Sequence, residues 1–151
     1  MPADVSATER EEIEMSSTAD KVKATAPAYT LTKADADNYV QGRRSFMYYR
    51  DLGITEGTAG KLRCQIMGSK DGLSEPTGWH VHLCDAQDVH MLSGWVDLEF
   101  AGGDVVRLEK GDTMLIPGSV PHNEIGTSDE FELLELSIPA DMGTEVCDPP
   151  A

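Results

Sequence analysis

The sequence predicts an all-β chain folded as an antiparallel sandwich or barrel. From about residue 45, short apolar stretches of strand length follow one another with turn residues between them. Glycines recur at these breaks, from Gly53 and Gly60 through Gly94 and Gly102-Gly103 to Gly111 and Gly118. No stretch carries the long 3.6-residue apolar period of an amphipathic helix. Many short strands with frequent turns favour a closed or two-layered antiparallel architecture.

Residues 1–27 are polar and charged and read as a flexible or arm-like N-terminal segment, with the remaining domain at 28–151. Within the arm, Ser6-Ala7-Thr8-Glu9 has the form of a capping box, which predicts either a short helix over 10–15 or a mobile arm. Thr32-Lys33-Ala34-Asp35 opens a second short helical stretch at 34–39. Strands are expected at 46–50, 61–67, 79–83, 87–92, 95–100, 105–108, 113–116, 122–125 and 131–138. Ala101-Gly102-Gly103-Asp104 reads as a hairpin turn, and 69–78 as a loop without apolar period.

Composition narrows the function classes. The chain has 151 residues, the size of one domain, and no run of 18 apolar residues, so no membrane span is expected. The acidic start Met1-Pro2-Ala3-Asp4-Val5 lacks the apolar core of a secretory signal. Three cysteines, Cys64, Cys84 and Cys147, are odd in number and without paired spacing, which predicts reduced thiols and a cytoplasmic location. Twelve basic against 27 acidic residues give a formal charge of −15, which repels nucleic acid and anionic membranes. An anionic substrate would need local positive charge, and a metal ion supplies it.

The chemistry concentrates in two stretches. His80 and His82 stand two apart, so an extended strand points both to one face. Gln87 follows His82 by five residues and Gly94 follows Gln87 by seven. In the second stretch Gly111 precedes Pro117 by six residues and His122 follows Pro117 by five. A single strand histidine is usually a packed or surface residue, and an alternating pair can be a surface feature. Four residues matching two motifs in order make that bland reading the weaker one. His90, three residues after Gln87, faces the other way and reads as a surface or interface residue. Cys84 reads as a buried thiol, with a minor alternative as a thiolate ligand that would favour zinc. Trp79 and Trp95 read as core or interface area, while Tyr48, Tyr49, Arg50 and Arg63 are candidates to line a pocket.

These motifs resemble those of the cupin superfamily: H-x-H, then Glu and Gly, followed by Gly, P-x-G and His. The resemblance spans about 45–138 and resembles small single-domain bacterial cupins. Three positions depart from the pattern. Gln87 stands for the usual Glu, Ser119 for the second glycine of P-x-G with Gly118 one place earlier, and Gly126 for the usual Asn. The resemblance implies a double-stranded β-helix, or jelly-roll barrel, with a short N-terminal helical arm and commonly a homodimer. It also implies a divalent metal (Fe, Ni, Zn or Mn) held by His80, His82, Gln87 and His122. Imidazole donors suit such metals, and three protein ligands with open positions describe a catalytic centre. Gln87 either ligates, the favoured reading, or hydrogen-bonds a bound water or substrate.

An amide in place of a carboxylate leaves the site at a formal +2 rather than +1, which favours an oxyanionic small-molecule substrate. The function expected is a metal-dependent oxygenase acting on a diketone or phenolic compound. The alternatives are a non-redox Lewis-acid isomerase or cyclase and a non-catalytic small-ligand-binding cupin. Some cupins similar in having His and Gln ligands are polyketide cyclases. The intact metal motif argues against the metal-free epimerase branch. On this reading His122→Ala loses most bound metal, while Gln87→Glu retains metal and alters activity.

Overall fold

A computed structural model describes residues 29–151, so the expected helix at 10–15 lies outside the described residues. Eleven strands are described: β1 (Val40–Gln41), β2 (Met47–Asp51), β3 (Arg63–Ser69), β4 (His80–Leu83), β5 (Ala86–Ser93), β6 (Trp95–Glu99), β7 (Val105–Glu109), β8 (Thr113–Pro117), β9 (Asn123–Thr127), β10 (Phe131–Ile138) and β11 (Gly143–Val146). All strand pairs are antiparallel. Six strands form one sheet in the order β1-β2-β3-β10-β5-β8. The other layer contains β7-β6-β9 and β11-β4, joined where His80 and His122 pair as a single antiparallel bridge.

The core lies between the layers and follows from strand alternation. Val89 and Met91 of β5, Ile116 of β8, and Phe131 and Leu133 of β10 meet Val96 and Leu98 of β6 and Leu108 of β7. Gln87 shares the inward face of β5 with Val89 and Met91, and Glu135 and Ser137 share that of β10 with Phe131 and Leu133. All seven of these polar and apolar residues are buried, so the apolar core passes along the same two strands into a polar floor.

The expected strands are present with ends moved by one or two residues, as fraying and pairing dictate. His122 falls just before β9, so the strand expected from residue 122 starts at Asn123. The stretch expected as a helix at 34–39 is only a 3-10 turn at Ala36–Asn38. Its N-terminal bond comes from the Asp35 carboxylate, which accepts from the Asp37 N–H at 3.1 Å, while the Thr32 hydroxyl donates to Leu52 O at 2.9 Å. Six residues without an apolar face do not offset helix nucleation. Three elements have no counterpart in the sequence reading: the two-residue strand β1, the one-turn helix α1 (Ile54–Gly57) and strand β11. The hairpin at Ala101-Gly102-Gly103-Asp104 is present, with Gly102 and Gly103 at φ 76° and 75° and Phe100 N–H donating to Asp104 O at 2.8 Å.

The displaced glycine of the second motif has a structural reason. Ser119 has φ 64°, so it keeps the left-handed conformation that a glycine would supply. A Cβ on Gly118 would overlap the carbonyl oxygen of Cys84, so this neighbour cannot carry a side chain. Relief of the left-handed strain predicts that Ser119→Gly raises stability by about 1 kcal/mol, read as an increased thermal midpoint. An unchanged or lower midpoint would mean the serine hydroxyl contributes more than the strain.

Candidate metal centre

The backbone itself joins the two motifs. His80 N–H donates to His122 O and His122 N–H donates to His80 O, both at 3.0 Å. Directly paired residues in an antiparallel ladder send their side chains to the same face. His82, two residues along β4, shares that face with His80. The ring centroids stand 4.4 Å (His80–His122), 5.0 Å (His82–His122) and 5.1 Å (His80–His82) apart. One ring nitrogen from each of the three lies within 4.8 Å of the others, a spacing that suits a shared ion.

The outer ring nitrogens fix the tautomers. His80 Nδ1 is 2.8 Å from Gly78 O, and His122 Nδ1 is 2.9 Å from Val120 O. A carbonyl only accepts, so both rings carry the proton on Nδ1 and leave Nε2 with a free lone pair. His82 Nδ1 lies 3.0 Å from the Thr144 hydroxyl of β11, the strand paired with β4. Such outer contacts orient metal-binding imidazoles.

Burial disfavours the protonated form of His82 and His122. Burial pushes the His82 imidazole down to about 4, helped by His122 and His80 beside it, and Glu124 only partly opposes this. Burial also lowers His122, against the opposing pull of Val120 O and Glu124. An imidazole lowered in the folded state binds its proton preferentially when unfolded, so it destabilises the fold as pH drops below the unfolded value near 6.5. Metal-free protein is therefore expected to lose about 2 kcal/mol between pH 7 and pH 5 from His82, measured by urea unfolding after chelator treatment. His82→Ala should flatten this loss, and equal slopes in both proteins would refute the assignment.

Gln87 stands on β5 at the polar floor, buried. Its Nε2 donates to Glu135 Oε2 at 2.8 Å, and its Oε1 is buried without a hydrogen-bond partner. A carboxylate can only accept, which sets the amide orientation and leaves the carbonyl oxygen free. Gln87 and the three histidines line the same cavity of about 570 Å³. A buried acceptor with no donor beside three imidazole lone pairs fits a site for a cation.

Two carboxylates absent from the sequence reading complete the surroundings. Buried Glu135 accepts from Gln87, from Gln65 at 2.8 Å and from Arg63 at 3.2 Å. An acid at an inward position of β10 was a possible signal, but Leu134 and Leu136 make the opposite face equally apolar and hide it. Glu124 lies with Oε2 3.7 Å from His80 Nε2 and Oε1 3.9 Å from His122 Nε2. Its signal was legible, since it follows His122 by two residues in extended chain.

The other candidates divide by strand face. Tyr49 and Arg63 line the cavity, as do Trp79 and, beyond the earlier candidates, Met67, while Tyr48 and Arg50 point away from it. Trp95 is not core: the Arg107 guanidinium stacks 3.8 Å from its ring centroid and pairs with Asp97. His90 faces away from Gln87 and meets the Thr113 hydroxyl at 2.7 Å. Cys84 is half-buried rather than buried and lies outside the histidine cluster. Burial and Asp85 raise its thiol, so it is poorly suited to thiolate ligation.

Comparison with solved structures identifies the architecture. The chain is similar to the polyketide cyclase RemF from Streptomyces resistomycificus, at 16% identity and TM-score 0.62 over 78% of this chain and 86% of that one. It is equally similar in kind to a Klebsiella pneumoniae protein with a double-stranded β-helix domain, at 17% identity and TM-score 0.57 over 77% and 96%. The chain has the cupin fold. A third cupin-fold neighbour is salicylate 1,2-dioxygenase from Pseudoaminobacter salicylatoxidans in its gentisate adducts, at 19% identity and TM-score 0.56 over 71% of this chain and 30% of that one. No protein-family model matches the chain, and no curated protein does. In this cupin barrel the two motifs meet at the His80–His122 bridge, which explains why residues 42 positions apart share one site.

Proposed function

We propose that the protein is a metal-dependent enzyme acting on a small oxyanionic organic substrate, with His80, His82 and His122 as nitrogen ligands and Gln87 Oε1 facing the same ion. The observation that carries this reading is the set of ring nitrogens within 4.8 Å of one another, lining a cavity of about 570 Å³. That volume accommodates a small organic ligand. A divalent ion held there would supply Lewis acidity and, if redox-active, electrons for oxygen chemistry.

The chain's own residues prepare the rest. Gly78 O and Val120 O hold two Nδ1 protons outward, so Nε2 of His80 and His122 stays available as a donor to the ion. Arg43, Arg44 and Arg63, the last paired with Glu135, line the cavity against the two carboxylates Glu124 and Glu135, so arginine is in excess there in a chain whose formal charge is −15, and Arg43 is exposed at its edge. This local positive charge supports an anionic substrate, with the edge arginine able to capture it from water. Apolar walls from Val89, Leu98 and Leu133 exclude water and strengthen the electrostatics at the polar end.

An oxygenase acting on a diketone or phenolic compound is the reaction type we favour, because a histidine-rich centre opening on the cavity leaves positions for substrate and O₂. Similarity to a polyketide cyclase over 86% of that chain supports a second reading, Lewis-acid cyclisation or isomerisation. The test is elemental analysis of protein purified without chelator, followed by O₂ uptake after anaerobic Fe(II) loading with diketones and phenols. About one Fe per chain and substrate-dependent O₂ uptake support the oxygenase. Tightly held Zn and substrate turnover without O₂ uptake select the second reading, and absence of metal binding rejects both.

A further inference from the structure

The placement of Glu124 carries one inference beyond the four motif positions, and it rests on the metal-dependent reading above. Glu124 Oε2 and Oε1 face His80 Nε2 and His122 Nε2 at 3.7 Å and 3.9 Å. Both nitrogens belong to rings protonated on Nδ1, so each presents a lone pair. A carboxylate presents lone pairs too. Acceptors facing acceptors do not attract each other, and what satisfies both is a positive charge between them, either a proton on Nε2 or a metal ion.

Distance agrees with that account. Two donors bound to one ion at about 2.1 Å each are separated by no more than about 4.2 Å. Both contacts fall inside this limit, while the set of ligand atoms within 4.8 Å of one another holds the three histidines without Glu124, so the carboxylate must close toward His82 to share their ion. The carboxylate is also braced for the position: Thr77 donates its hydroxyl to Glu124 Oε2, and Glu124 N–H donates to Thr77 Oγ1 at 3.1 Å. Thr77 N–H in turn donates to Glu124 O at 3.0 Å.

We propose that Glu124 is the anionic ligand of this centre, so that β9 supplies the carboxylate that β5 lacks. Gln87 cannot provide that charge, and its amide protons are directed to Glu135. With Glu124 in place, three neutral imidazoles and one carboxylate bring a divalent site to +1 whether or not the neutral Gln87 amide also ligates, not the +2 that the glutamine alone implies. The Thr77 loop then positions a ligand, and movement of this loop would loosen the ion.

Co(II) affinity, by competition with a chromophoric chelator, and the visible Co(II) spectrum test this on the full chain, with metal-free folding checked by circular dichroism. Glu124→Gln should weaken Co(II) binding at least about tenfold and change the ligand-field bands, while His122→Ala removes binding altogether. Unchanged affinity and spectrum in Glu124→Gln, with binding lost in His122→Ala, overturns the Glu124 assignment and leaves the histidine centre standing. Unchanged binding in both variants overturns the centre itself. If Glu124→Gln fails to fold, Glu124→Asp serves instead: a shorter carboxylate should shift the Co(II) bands, and an unshifted spectrum at unchanged affinity refutes ligation.

Discussion

A Gln87→Glu variant is expected to lose about 3 kcal/mol of folding stability at neutral pH, because it removes the donor that Glu135 uses and sets a second carboxyl against it. Gln87 Nε2 and Glu135 Oε2 are 2.8 Å apart, and both residues are buried. Two carboxylates at that separation cannot both ionise, so one must keep a proton. Holding a glutamate protonated near pH 7 costs close to 4 kcal/mol relative to the unfolded chain, and a shared proton between the carboxyls returns part of it. Arg63, 3.2 Å from Glu135, moderates the repulsion without removing it.

The pH sign identifies the cause. The introduced carboxyl has a folded pKa above its unfolded one, so the deficit against the parent protein is absent below about pH 4 and grows as pH rises from there. Urea unfolding of both proteins at pH 4.5 and pH 7.5 reads this directly. The double change Gln87→Glu with Glu135→Gln restores one amide donor and one carboxylate acceptor and should recover much of the loss. Equal stability of Gln87→Glu and the parent at pH 7.5 would sink the argument. The expectation from sequence alone, retained metal and altered activity, takes no account of Glu135. The structure gives the glutamine a reason of its own: it is the neutral donor that a buried glutamate on the adjacent strand requires.

Replacing His122 by alanine should have the larger effect on metal binding. His122 is only 1% exposed and pairs its backbone with His80 in both directions. Its side chain offers Nε2 to the cluster and donates Nδ1–H to Val120 O, with the Phe100 ring 6.2 Å away between centroids. Truncation removes one of three nitrogen donors, orphans a carbonyl and opens a cavity, at about 2–4 kcal/mol in the metal-free protein. Ligand binding stabilises the folded state by mass action, about 2.7 kcal/mol at a hundredfold excess over Kd. The parent protein's melting point should therefore rise with added Zn(II) or Fe(II), and that of His122→Ala should not. A variant that still gained the full metal-dependent shift would remove His122 from the site.

The three-histidine cluster was legible because each part of it is local. H-x-H places two imidazoles on one strand face whatever the rest of the chain does, and the spacing about Pro117 places His122 at the start of a strand. Turn glycines and short apolar runs likewise mark strands, and nine of the eleven described strands could be located from them. The N-terminal signal at Thr32–Asp35 misled because a cap favours a helix that an apolar face must still stabilise.

Thr144 on β11 was beyond local reading, as a four-residue strand carries too few alternations to distinguish it from a tail. Its role beside His82 exists only through the β4–β11 pairing. Glu135 was hidden for a related reason: β10 is apolar on both faces, so its period could not say which face turns inward. Register decided that, by setting Glu135 across from Gln65 on β3 and placing it within reach of Gln87 on β5. The sequence by itself therefore determined the all-β architecture and the imidazoles available to a metal, since both depend on spacing along one strand. Only the tertiary structure decided which carboxylates stand beside them, because charge at a buried site is set by neighbours from other strands.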